Sequence, residues 1–169
     1  YSVGAGCYSE IPKVARRLGN KAIVIGGRTA IDKAKQALLD GISGSDMKII
    51  DFIVYGDDST YENVDKLVND ERVKNADIIF GVGGGRAVDT TKVVADKLDK
   101  PLFTFPTLGS NCAAVTAICV MYNEDHTFKE YYYLESPADH TFIDTQIIAE
   151  SPEDLFWAGI GDALSKECE

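Results

Sequence analysis

The chain has 169 residues, 45% hydrophobic and 26% charged, with a formal net charge of −10. That length supports one domain with a real core. The acidic balance disfavours nucleic-acid binding, because it repels phosphate backbones, and no apolar run reaches the roughly 18 residues that a membrane span needs. The start Tyr1-Ser2-Val3-Gly4 has no basic segment leading into an apolar one, so no signal peptide is expected. Cys7, Cys112, Cys119 and Cys168 show neither CxxC spacing nor disulfide-scaffold density. They are expected as free thiols in a reducing, cytoplasmic setting. His126 and His140 lie in polar, turn-like context without a ligand partner, and both are expected at the surface.

In chain order, Lys21 to Gly27 is a buried strand ending in glycines. A helix follows from about Ala30 to Leu39, with Ile31, Ala34, Leu38 and Leu39 as its apolar positions. Lys48 to Tyr55 is a second strand, and Tyr61 to Val73 has helical spacing through Val64, Leu67 and Val68. Asp77 to Val82 is a third strand running into Gly83-Gly84-Gly85, Ala87 to Leu98 a third helix, and Pro101 to Pro106 a fourth strand. Strands alternating with helices over short connections indicate crossover units and a parallel sheet. Near-continuous apolar strands indicate helices on both faces.

After Pro106 the pattern changes. Ala113 to Tyr122 and Glu130 to Leu134 are expected to form a hairpin around Asn123-Glu124-Asp125-His126, with Tyr131-Tyr132-Tyr133 as strand residues. Thr141 to Asp144 is a further short strand. Ser151-Pro152-Glu153-Asp154 carries the marks of a helix start, with Ser151 as N-cap and Pro152 at the first helical position. The chain then ends inside what the pattern suggests is a second helix.

The segment Gly83-Gly84-Gly85-Arg86-Ala87-Val88-Asp89-Thr90-Thr91-Lys92 carries the chemistry. Glycines between a strand and a helix permit a tight turn and let a pyrophosphate approach the backbone. The helix N-terminus adds unpaired N–H groups and partial positive charge. The segment matches neither GxGxxG nor the Walker loop, and glycines alone also make ligand-free turns. Open α/β sheets bind ligands beyond the carboxyl ends of their strands, where this cluster and Gly26-Gly27 both fall.

The pattern GGGxxxDxxK after a buried strand resembles the iron-containing alcohol dehydrogenase and glycerol dehydrogenase superfamily. Pro106-Thr107-Leu108-Gly109-Ser110, Val115 to Tyr122, and Ala158-Gly159-Ile160-Gly161-Asp162-Ala163-Leu164 strengthen the likeness, the last resembling the glycerol dehydrogenase branch. Asp144 and Pro152 fall where that branch has VDxxIIAxxP. The resemblance implies a Rossmann-like α/β domain, a parallel sheet with flanking helices plus the hairpin, over residues 1–150. The start of a truncated helical metal-binding domain would occupy 151–169.

By that resemblance Gly83, Gly84, Gly85 and Arg86 lie against the pyrophosphate of NAD or NADP. Thr107 and Ser110 line the adenosine and phosphate path, Asp89, Thr116, Ile118 and Tyr122 border the nicotinamide, and Asp162 is one ligand of a divalent metal, Zn²⁺ or Fe²⁺. Without the resemblance, Asp162 reads as a helix cap, and Asp89 and Lys92 as a first-turn acid and a solvated lysine.

Two positions depart from the glycerol dehydrogenase pattern. Gly26-Gly27-Arg28 stands where the branch has an Asp for the adenosine ribose. Gly27 and Arg28 therefore suggest acceptance of a 2′-phosphate, since Arg pairs with one and an acid repels it, although Arg28 also reads as a solvated loop residue. Cys112 stands where the branch has a substrate-contacting Asp, which leaves hydroxy acids open beside glycerol-like alcohols.

The implied reaction is metal-assisted hydride transfer between an alcohol or polyol and nicotinamide. It would belong to a longer protein of about 350–380 residues, large enough for two domains, and one that assembles as a homo-oligomer. With one metal ligand, the chain alone is expected to be inactive. Rival readings are a 2-hydroxycarboxylate dehydrogenase, glycerol-1-phosphate dehydrogenase, 3-dehydroquinate synthase and a stand-alone nucleotide-binding module.

Overall fold

The computed structural model describes residues 1–165 and 167. The expectation that Cys168 is a free thiol lies outside the described residues. The described residues form eight strands, β1 (Ser2–Val3), β2 (Lys21–Gly26), β3 (Lys48–Val54), β4 (Ile78–Gly83), β5 (Leu102–Pro106), β6 (Ile118–Tyr122), β7 (Phe128–Tyr133) and β8 (His140–Ile143). The helices are α1 (Ile11–Ala15), α2 (Arg28–Ile42), α3 (Tyr61–Val68), α4 (Glu71–Lys74), α5 (Gly85–Leu98), α6 (Thr145–Ala149) and α7 (Glu153–Ser165). Six strands form a parallel sheet in the order β1-β8-β5-β4-β2-β3, and β6 and β7 form a separate antiparallel hairpin.

Alternation along the central strands explains the two-sided core. On β2, Ala22 and Val24 join Phe80, Val82 and the inner face of α2 on one side, while Ile23 and Ile25 join Ile79, Val93 and Val94 of α5 on the other. Burial of each large apolar side chain stabilises by about 1.5–3 kcal/mol, so a strand apolar on both faces is held only where helices cover both. On α2, Ile31, Ala34, Leu38 and Ile42 make the buried stripe at helical spacing.

α5 departs from that simple amphipathic plan. Every residue from Ala87 to Ala95 is buried, Asp89 and Lys92 included, because the sheet covers one side and β6 the other. Lys92 is therefore not the solvated lysine that its position in a helix suggests.

Several boundaries differ from the sequence pattern. The helix expected from Tyr61 to Val73 is two helices. Asp70 leaves helical geometry, and its carboxylate accepts the Arg72 amide at 2.8 Å, starting α4. The first hairpin strand begins at Ile118 instead of Ala113, since residues 113–115 form a 3₁₀ turn, and β7 begins at Phe128.

Ser151 does not cap α7, as its buried hydroxyl finds no hydrogen-bond partner; Pro152 supplies the carbonyl that accepts from Phe156. A single helix, α7, covers the stretch through Ser165. β1, α1 and α6 lie outside the expected elements, although Pro12 in the first turn of α1 and the Asp144 cap of α6 are helix-start signals. His140 is a half-buried strand residue packed on Phe142 and hydrogen-bonded with Ser2, and burial pulls its pKa down. His126 is exposed as expected, yet it is paired with Asp58.

Among the described residues, no helix is long and apolar enough to cross a membrane. Cys7, Cys112 and Cys119 are free thiols.

Candidate cofactor site

β2 has β3 on one side and β4 on the other. The chain therefore winds outward in opposite directions from β2 and β4, and their carboxyl ends open a crevice at a topological switch point. Two glycine turns line it. Gly26 lies so close to β4 that a Cβ would strike the Val82 carbonyl, and Gly83 has φ +140, a conformation side chains rarely adopt. Gly27 and Gly84 then start α2 and α5, neither with a side-chain cap.

Two clefts meet at the second turn. One, of about 540 Å³, has Gly27, Arg28, Lys33, Gly84 and Thr107 along its polar side and Leu108, Pro152 and Leu155 along its apolar side. The other, of about 420 Å³, is bordered by Gly85, Arg86, Asp89, Cys112, Thr116, Ile118, Val120 and Tyr122. At the turn itself, a small void of about 10 Å³ is lined by Gly83, Gly84, Gly85 and Ser110. The sequence-predicted cofactor residues and Cys112 are thus brought together around the second glycine turn and the clefts beside it.

The residues present fit a dinucleotide on three counts. The N-terminus of α5 is uncapped. A Cβ at Gly84 would come within 3.1 Å of Leu108, and one at Gly85 within 3.0 Å of Asn111, so the turn is kept narrow and bare. An elongated ligand crossing it would have a cleft at either end.

Behind the second cleft a buried pair fixes the wall. Lys92 Nζ lies 2.9 Å from Asp89 Oδ1 and donates to the carbonyls of Ala113 at 2.9 Å and Ile118 at 2.7 Å. Asp89 Oδ2 accepts the Val120 amide at 3.0 Å. Burial pushes the Asp89 carboxyl up, while the neighbouring ammonium pulls it back down. On the sheet side, Thr104 Oγ1 donates to the Ala114 carbonyl at 2.9 Å, tying the 113–115 turn to β5.

Asp162 lies apart from these clefts, on α7, where Ser165 donates to its backbone carbonyl. No group of three His, Cys, Asp or Glu that could hold a metal exists among the described residues. Asp162 is a single carboxylate, and the described residues do not by themselves fit a metal ion.

Sequence reasoning missed Lys33, Leu108, Asn111 and Asp58. Lys33 lies one turn beyond Thr29 and Ala30 on α2, the i,i+4 and i,i+3 spacing that shares a helix face and can be read from the sequence. Asp58 reaches the site through tertiary folding alone.

The fold and its cleft define an open, doubly wound parallel α/β domain with its ligand crevice at the switch point. The chain belongs to the iron-containing alcohol dehydrogenase family, whose model matches residues 1–145. It is 33% identical to the glycerol dehydrogenase of Thermotoga maritima, over 98% of this chain and 44% of that protein. It is 30% identical to hydroxycarboxylate dehydrogenase A of Escherichia coli, over 87% of this chain and 40% of that protein. The crystal structure of glycerol dehydrogenase from Schizosaccharomyces pombe superimposes with a TM-score of 0.89 at 26% identity, covering all of this chain and 43% of that one. The chain thus spans less than half the length of these relatives.

Proposed function

We propose that this chain is the nucleotide-binding part, residues 1–150, of an NAD(P)-linked, metal-dependent alcohol or polyol dehydrogenase, and that residues 151–169 open its metal-binding domain. The observation that carries the reading is the bare glycine turn at the switch point with a cleft on either side. Glycerol dehydrogenases recur among the relatives, which favours an alcohol or polyol over the rival substrates. A cytoplasmic location and a homo-oligomeric assembly belong to the same proposal.

Each residue has a part in binding. The amides at Gly84, Gly85 and Arg86 receive the pyrophosphate, using the helix N-terminus as an anion site. Thr107 and Ser110 border the path to the adenosine cleft, and Leu108, Pro152 and Leu155 supply its apolar wall. Asp89, Thr116, Ile118 and Tyr122 frame the nicotinamide cleft, with Cys112 at the substrate side. When bound, the nicotinamide supplies a hydride acceptor at carbon 4. Asp162 would contribute one ligand to a Zn²⁺ or Fe²⁺ site.

Arg28 and Lys33 on the adenosine side support binding of a 2′-phosphate, so NADP(H) is accepted alongside NAD(H). Calorimetric titration with NAD⁺ and NADP⁺ tests the reading. Saturable binding of either, abolished in Gly84→Val, is expected. Binding of neither, or binding indifferent to Gly84→Val, would remove its basis.

A further inference from the structure

The side chain of Asp58 is 1% exposed, on the loop between β3 and α3. A buried carboxylate needs compensating partners, and this one draws them from three parts of the fold. Its Oδ1 accepts the Ser59 amide at 2.8 Å and lies 3.3 Å from Arg86 Nε, at the start of α5. Its Oδ2 lies 2.7 Å from Nδ1 of His126, on the hairpin turn. The same loop is stitched to the end of β6, where the Tyr122 amide donates to the Ser59 carbonyl at 2.9 Å. The Arg86 guanidinium in turn sits over the Tyr122 ring, 5.2 Å from its centre.

We infer that Asp58 is a positioning residue for the cofactor, engaging Nε of Arg86 so that the side chain is held across Tyr122 and its two terminal nitrogens remain for a phosphate. The inference rests on the assignment of Arg86 to the pyrophosphate. The Arg86 side chain is 54% exposed, and an unanchored arginine would lose rotamer freedom on binding. Anchoring one edge of the planar fork beforehand reduces that loss. His126 braces the carboxylate from the opposite side and ties the hairpin to the same point.

Charge and positioning predict opposite signs. A carboxylate near a diphosphate repels it, so if charge alone mattered, Asp58→Asn would tighten binding. If Asp58 positions Arg86, the substitution weakens binding, and only where Arg86 is present.

The test is a double-mutant cycle read by NAD⁺ affinity, with the unsubstituted chain, Asp58→Asn, Arg86→Ala and the double variant, each checked for folding by circular dichroism. The expected result is a loss of about five- to tenfold for Asp58→Asn, with the double variant no weaker than Arg86→Ala alone. Unchanged or tighter binding by Asp58→Asn, or losses that multiply in the double variant, would overturn the inference and leave the cofactor reading standing. No binding by the unsubstituted chain would defeat both together. Should Asp58→Asn not fold, the unsubstituted chain decides by NMR. The Arg86 Hε proton should exchange with water more slowly than that of exposed Arg17, and equal rates would overturn the pairing.

Discussion

Lys92 and Asp89 form a buried ion pair one turn apart on α5, 2.9 Å between Nζ and Oδ1, with the lysine side chain 0% exposed. Together they hold four backbone groups, the carbonyls of Ala113, Thr116 and Ile118 and the amide of Val120. The pair is therefore the brace between α5 and the wall of the second cleft. Lys92→Met leaves the carboxylate buried without its cation and is expected to destabilise by about 3–5 kcal/mol. Combining it with Asp89→Asn should cost less than the two single losses summed. Urea unfolding measures this, and simple additivity would show that the two groups act separately.

α7 is held to the cleft by a close approach. A Cβ at Gly159 would strike the Gly109 carbonyl, whereas one at Gly161 would meet nothing within 4 Å. Gly159→Ala should lift α7 from residues 107–111 and speed proteolysis at exposed Phe156 and Trp157. Gly161→Ala should slow it, because alanine favours a helix over glycine by about 1 kcal/mol. Equal cleavage rates in the two variants would contradict this packing.

The proposed acceptance of NADP(H) is tested at Arg28. Arg28→Asp is expected to weaken NADP⁺ binding about tenfold or more, since a paired charge becomes a repelling one. NAD⁺ binding should be retained. Parallel losses for both cofactors would place the 2′-phosphate elsewhere.

Thiol reactivity should divide by position. Cys112 is exposed at the second cleft, whereas burial pushes Cys119 up to about 12 and Cys7 up to about 11. The thiolate is the reactive form, so at pH 8 iodoacetamide should label Cys112 ahead of Cys7 and leave Cys119 intact in the folded chain. NAD⁺ should slow labelling at Cys112. Labelling of Cys119 at the rate of Cys112 would contradict the burial.

The parallel core was legible because its signals are local. Apolar runs ending in glycines mark β2 and β4, and the stripe through Ile31, Ala34 and Leu38 marks α2. The glycine turn and its neighbours Arg86, Thr107 and Thr116 were legible through the family pattern. What escaped depends on contacts made only on folding. The break at Asp70 turns on one side chain competing for one amide. The burial of Lys92 depends on a hairpin more than 20 residues further along. Asp58 sits in a stretch of polar loop residues that offers no hint of Arg86 or His126.

In the proposed function, a dinucleotide lies across the glycine turn at the switch point. Mapping amide chemical shifts of the ¹⁵N-labelled chain during titration with NADH tests it most directly. The largest changes are predicted at Gly84, Gly85 and Arg86, extending to Thr107 on one side and Thr116 and Tyr122 on the other. Saturable changes centred elsewhere, such as the cleft beside Lys100 and Asp139, or no changes at all, would contradict it.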